Sequence, residues 1–160
     1  MEREIVKHVS YINDEKNWRE EFEFTIPVHV RFSETDMFGH MNNTIPFIYF
    51  EEARIAFLKH HQVFSDLQHE SHVMPVVADL QCDFHQQVYF DEKLKLFVKV
   101  DQIGRTSCDL HYLATKENGT LAFTGRGRMV QISTDTGEPY PWTHEVQHRL
   151  DASRVQIECS

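Results

Sequence analysis

Apolar and polar residues alternate from Phe22 to Phe32. Phe22, Phe24, Ile26, Val28, Val30 and Phe32 are interleaved with Glu23, Thr25, His29 and Arg31. A period of two sends successive side chains to opposite faces, so the segment predicts a half-buried strand. Pro27 lacks an N–H for the ladder and marks an edge strand or a distorted start. After a loop over Ser33–Asn43 the period changes. Ile45, Ile48, Tyr49, Ala53, Ala56, Phe57 and His60 recur at three and four, which predicts a helix from Thr44 to His61. At about 1.5 Å per residue it is about 27 Å long. Phe47, Phe50, Ile55 and Leu58 make its other sides apolar as well, as in an enclosed helix. Asn42 or Asn43 supplies the cap, and Pro46 falls in the first turn, where a missing N–H costs nothing.

Period two then returns. Val76–Phe84, Leu94–Val100, Cys108–Ala114 and Leu121–Ser133 read as four further strands. Asp91-Glu92, Glu117-Asn118-Gly119 and Asp135-Thr136-Gly137 supply turns, and Trp142–Leu150 reads as a short terminal helix. One helix and about five strands fit one antiparallel sheet curled around the helix, an α+β fold. The sheet edges and uncovered face then predict a dimer or a tetramer. Residues 1–20 are mostly polar, with scattered Tyr11, Ile12 and Trp18, and read as a loosely packed leader. A short helix is expected around Asp14–Glu21, and the domain proper spans 21–160.

Composition narrows the function. The chain has 160 residues, 41% hydrophobic and 26% charged, which suits one globular domain. Asp and Glu outnumber Lys and Arg by 25 to 16, a net charge of −9. A nucleic-acid binder or a protein adsorbed on anionic membrane needs the opposite balance. No apolar run is long enough to span a bilayer, and Met1–Ser10 lacks the apolar core of a signal peptide. Three cysteines without a CxxC pair (Cys82, Cys108 and Cys159) fit a reducing cytoplasm better than a disulfide scaffold.

Chemistry concentrates in Arg31–Asn43, where Asp36, Gly39, His40, Asn42 and Asn43 precede the helix. A helix start offers free N–H groups and partial positive charge, which suit a developing oxyanion. A carboxylate four residues before His40 has the chemistry of a base or a nucleophile. The same residues also serve a capped turn, with Asp36 reversing the chain and His40 packing.

The run from Arg31 to Arg54, RFSETDMFGHMNNTIPFIYFEEAR, resembles the signature of hot-dog-fold acyl-CoA thioesterases of the 4-hydroxybenzoyl-CoA thioesterase superfamily, of the long-chain acyl-CoA type. The resemblance extends over about residues 22–150. It implies a long helix wrapped by an antiparallel sheet, with two protomers sharing a continuous sheet. It also implies hydrolysis of an acyl-CoA substrate to free acid and coenzyme A without a cofactor or metal. Asp36 falls on the family's catalytic aspartate, nucleophile or general base. The N–H near Asn43 falls on the donor that polarises the thioester carbonyl, and His40 on a supporting histidine. Phe38 stands where plant acyl-carrier-protein thioesterases carry a functional Asn. An acyl-carrier-protein thioesterase and a non-catalytic acyl-CoA-binding protein are the alternatives.

Other signals are weaker. The histidine pairs His60/His61 and His69/His72 and the Cys82/His85 pair lack matched partner pairs for a metal, and no GxGxxG or P-loop is present. Glu51 and Glu52 point about 100° apart on a helix and cannot share a site; a buried or interface ion pair with Arg54 suits Glu52 better. Arg105, Arg126 and Arg128 are candidate phosphate contacts or a solvated sheet face.

Overall fold

The computed structural model describes residues 8–63 and 72–155. The Met1–Lys7 stretch, His69 and Cys159 lie outside them. Among these residues nine elements follow in chain order: α1 (Glu15–Glu20), β1 (Thr25–His29), a 3-10 turn (Phe32–Glu34), α2 (Ile45–His60), β2 (Val73–Phe84), β3 (Lys93–Ile103), β4 (Ser107–Lys116), β5 (Leu121–Ser133) and α3 (His144–Ala152). All strand pairs are antiparallel, in the order β1-β3-β4-β5-β2. This is the expected five-stranded sheet around one long helix. No helix among the described residues is long and apolar enough to cross a membrane.

The inner face of the sheet carries Leu94, Leu96, Val98 and Val100 of β3 and Cys108, Leu110, Tyr112 and Ala114 of β4. Onto it α2 lays Tyr49, Phe50, Ala53 and Phe57, all almost fully buried. Phe50 stacks on Tyr112 at 4.3 Å between ring centroids and 16° between planes. The seat for that ring is Gly125 of β5, where any Cβ would overlap it. A glycine inside a strand is costly for the strand, and here it admits the helix. Cys108 is an inert core thiol, its pKa pushed up to about 12 by burial and then by the charge of Asp109.

Three expectations need correction. The alternation from Phe22 to Phe32 yields a strand only over Thr25–His29. Phe22 turns to the outer face of the sheet with Trp18 and Leu113, and Phe32 enters the 3-10 turn, exposed. Glu52 is solvent-exposed rather than buried within the chain, and Arg54 donates to the Tyr112 hydroxyl at 3.4 Å. The described part of the leader, residues 8–20, packs on the sheet rather than loosely. Trp18 is only 5% exposed and donates its indole N–H to His111 Nδ1 at 2.8 Å, while Lys99 pairs with Glu21 and sits over the Trp18 and Phe22 rings. Pro27 does lie on an edge strand, and Asp14 caps α1 by accepting from Asn17 N.

Burial and, against the attraction of Asp101, the charges of Lys99 and Arg126 hold the His111 pKa down, at about 4. The folded state therefore keeps His111 neutral where the unfolded chain, with an ordinary imidazole near 6.5, takes up a proton. That difference destabilises the fold progressively as pH falls from about 6.5 towards 4. Urea unfolding should lose about 2 kcal/mol between pH 7 and pH 5, and His111→Gln should flatten most of that slope. An unchanged slope in the variant would assign the loss to other groups.

Candidate active site

The loop between β1 and α2 is folded by its own polar groups. Asp36 N donates to His40 O at 2.8 Å and Gly39 N to Asp36 O at 3.1 Å, closing a tight hairpin. Gly39 has φ +78°, with open space where a Cβ would stand, so glycine is there for backbone conformation rather than room. Asp36 Oδ1 accepts from Phe38 N at 2.8 Å and His40 N at 3.2 Å. The turn thus holds one carboxylate oxygen and leaves Oδ2 for chemistry. The His40 ring packs edge-on against Tyr89, 5.0 Å between centroids.

Neither candidate cap is the N-cap of α2: that residue is Thr44, whose side chain makes no capping bond, and Asn42 instead braces the turn that leads into it. Asn42 Oδ1 accepts from Thr44 N and Thr44 Oγ1, each at 2.9 Å, and its carbonyl accepts from Ile45 N at 3.0 Å. The Asn43 N–H makes no hydrogen bond among the described residues.

Asp36, His40 and Asn43 line one cavity of about 430 Å³. Met41, Phe84, His85, Gln86 and Val88 supply further wall. The link from Met41 N to Val88 O, 2.6 Å, ties the loop to the β2–β3 connection on the far wall. Phe32, Met37 and Phe38 are 75% to 89% exposed, an apolar fringe on the same loop, and Phe32 meets Phe90 edge to face at 5.8 Å.

Sequence reasoning passed over Glu34. Its carboxylate is buried, accepting from Arg31 N at 2.9 Å and from the Tyr49 hydroxyl at 3.0 Å, with Arg31 Nε at 3.4 Å. Burial alone would raise its pKa, but the Arg31 and Tyr49 donors and the Arg31 charge outweigh burial and hold the carboxyl ionised below its ordinary range. Burial, then the bond and charge of Glu34, pushes the Tyr49 phenol up. The carboxylate three residues after Arg31, ahead of a tyrosine on the buried helix stripe, is the available sequence signal. His85 carries none, because only the fold brings it to Asp36.

The other candidates lie elsewhere. Arg126 pairs with Asp79 at 2.9 Å and Asp109 at 3.5 Å, and Arg128 grips Asp109 at 2.9 and 3.2 Å, all on the outer sheet face. His60 and His61 pack edge to face beside Phe24 at the far end of α2.

Comparison with known proteins agrees with this architecture. A family model described as the Thioesterase-like superfamily matches residues 30–150, and the chain belongs to that superfamily. It is 45% identical over 135 residues to the uncharacterized protein YsmA of Bacillus subtilis, covering 84% of this chain and 90% of that one. A solved structure named a "predicted thioesterase" from Bacillus stearothermophilus superposes with a TM-score of 0.72 at 28% identity, covering 84% of this chain and 98% of the other. The DHNA-CoA thioesterase of Staphylococcus aureus shares the fold at a TM-score of 0.72 and 24% identity, over 80% and 90% of the two chains.

Tyr49→Phe should remove one donor from a buried carboxylate and lower stability by about 1.5–3 kcal/mol in urea unfolding. A loss below about 0.5 kcal/mol, within what surface substitutions cause, would show that the pair does not anchor the loop.

Proposed function

Taking membership of the thioesterase-like superfamily as the premise, we propose that the chain hydrolyses an acyl-CoA thioester to free carboxylic acid and coenzyme A. The observation that carries this reading is one cavity lined by Asp36, His40 and Asn43, with an unbonded N–H at the start of α2. Asp36 Oδ2 attacks the thioester carbon, or takes a proton from the water that does. The Asn43 N–H and the α2 dipole meet the negative charge that develops on the carbonyl oxygen. The carbon–sulfur bond breaks, the thiolate takes a proton, and water supplies the acid's second oxygen. His40, packed on Tyr89, orients the loop rather than reacting. The CoA thioester named for the Staphylococcus relative supports this substrate class. The Arg31–Arg54 run resembles that of the long-chain acyl-CoA type of the family.

The working unit is a homodimer or larger. β2 is twelve residues long and lies at the sheet edge, with exposed Met74, Val77 and Phe84. Such an edge pairs readily with a second copy. Light scattering at micromolar concentration should return at least twice the 18.9 kDa chain mass; a monomer would contradict a shared sheet.

Asp36→Asn is the direct test. The amide oxygen still accepts from Phe38 N and His40 N, so the turn survives while nucleophilicity and basicity are lost. kcat on the best acyl-CoA should fall at least about a hundredfold with folding and oligomer size unchanged. His40→Ala should cost less, about tenfold. Near-normal turnover in Asp36→Asn would reduce Asp36 to a turn residue.

A further inference from the structure

One charged side chain breaks the apolar pattern of the inner sheet face. Leu110, Tyr112 and Ala114 of β4 point inward and are buried. Lys116 takes the next position in that row, at the end of β4, paired with inward Leu94 of β3. Its side chain is 17% exposed. An ammonium on an inward row needs partners where it lies. The hairpin turn behind it fixes that place: Lys116 N donates to Thr120 O and Gly119 N to Lys116 O, each at 2.9 Å.

The partners that Lys116 meets belong to the β2–β3 connection. Its Nζ donates to the Gln87 carbonyl at 2.6 Å and to Glu92 Oε1 at 3.2 Å, and it lies 5.7 Å from the centre of the Tyr89 ring. That segment is the far wall of the cavity. Gln86, Gln87 and Val88 line it, and Tyr89 carries the His40 ring. The ends of the wall are pinned by backbone: His85 N and Gln86 N donate to Ala122 O, and Asp91 N donates to Val30 O, each at 3.0 Å. Between those ends the wall meets the Asp36 loop through Met41 N to Val88 O at 2.6 Å and Phe90 N to Gly39 O at 3.4 Å. Lys116 holds the residues on either side of Val88, one by a charge-assisted hydrogen bond and one by its ring face.

We propose that Lys116 is a positioning residue for the candidate site: from behind the wall it holds Gln87 and Tyr89, and so fixes the width of the cavity between Val88 and Asp36. Lys116 is not among the residues that line the cavity, so it acts through the wall and touches no substrate. Only the consequence for substrate binding rests on the acyl-CoA reading; the order of the wall does not.

Amide hydrogen exchange on the full chain reads the wall through the Met41 and Phe90 N–H groups. Lys116→Met keeps an unbranched stem that suits an inward row and removes the charge with its donors. Exchange at both amides should rise about tenfold, as for one lost charge-assisted bond, with the core amide of Leu110 unchanged. Lys116→Gln, neutral and too short to reach, should repeat this result and carries the comparison if the methionine variant does not fold. Lys95→Met, at an exposed position of β3, should change neither amide. On an acyl-CoA substrate the Lys116 variants should raise KM about fivefold with kcat within about twofold, because the wall holds the substrate while Asp36 reacts. Wild-type exchange at Met41 and Phe90 in both Lys116 variants would overturn the proposal. An equal rise at Leu110, or the same rise in Lys95→Met, would mark general loosening and overturn it as well. Faster exchange with unchanged KM would confine Lys116 to stabilising the connection and overturn its role in the site. Absent turnover in the wild type would fail the acyl-CoA reading while the exchange comparison still decides whether Lys116 orders the wall.

Discussion

One buried carboxylate joins the Asp36 loop to the central helix. Glu34 is 5% exposed, and such a charge is tolerated in a core only when its oxygens are met by donors. Arg31 N and the Tyr49 hydroxyl meet it, with Arg31 Nε nearby. Its backbone carbonyl also accepts from Asn42 N at 2.8 Å. Glu34 therefore holds the loop on both sides of the Asp36 hairpin, before the turn through Arg31 and after it through Asn42. It adds a tie to α2 beyond the backbone bridges of the loop itself.

The helix itself is located by shape. Phe50 fits over Gly125 and against Tyr112, which fixes the distance and rotation of α2 on the sheet. Tyr49, one residue earlier on the same buried stripe, then falls where it can reach Glu34. The far wall comes from the β2–β3 connection, drawn in by Met41 N to Val88 O and by the bridge between His40 and Tyr89. Packing of the apolar stripe and placement of the polar site are thus one geometry. That explains why a loop rich in exposed residues is held in a single arrangement.

Much of this was legible in the chain. The sheet strands beyond the helix announce themselves by period two, and β5 keeps its expected bounds because turn signals flank it at both ends. Asp36, His40 and Asn43 lie within eight consecutive residues, so local pattern suffices to group them. Phe22 and Phe32 obey the same alternation as β1 yet leave it, because Trp18 and Leu113 offer Phe22 an apolar site on the opposite face. Such competition between two faces is invisible to periodicity. Tyr49 and Glu34 are 15 residues apart, and His85 and Thr124 are 39 apart. Those pairs exist only once the sheet has closed on the helix. Arg126 and Arg128 are similar: their acidic partners arrive by strand register, with Asp109 of β4 and Asp79 of β2 both opposite Arg128 and within reach of Arg126.

The most direct measurement is release of free thiol from a panel of acyl-CoA thioesters, aliphatic chains of increasing length and aromatic acyl groups, incubated with the purified full chain. Hydrolysis in the cavity of Asp36, His40 and Asn43 predicts stoichiometric coenzyme A release with saturation on at least one member of the panel. Tight binding of acyl-CoA with no thiol released from any member would contradict it and leave the same cavity as a binding site alone.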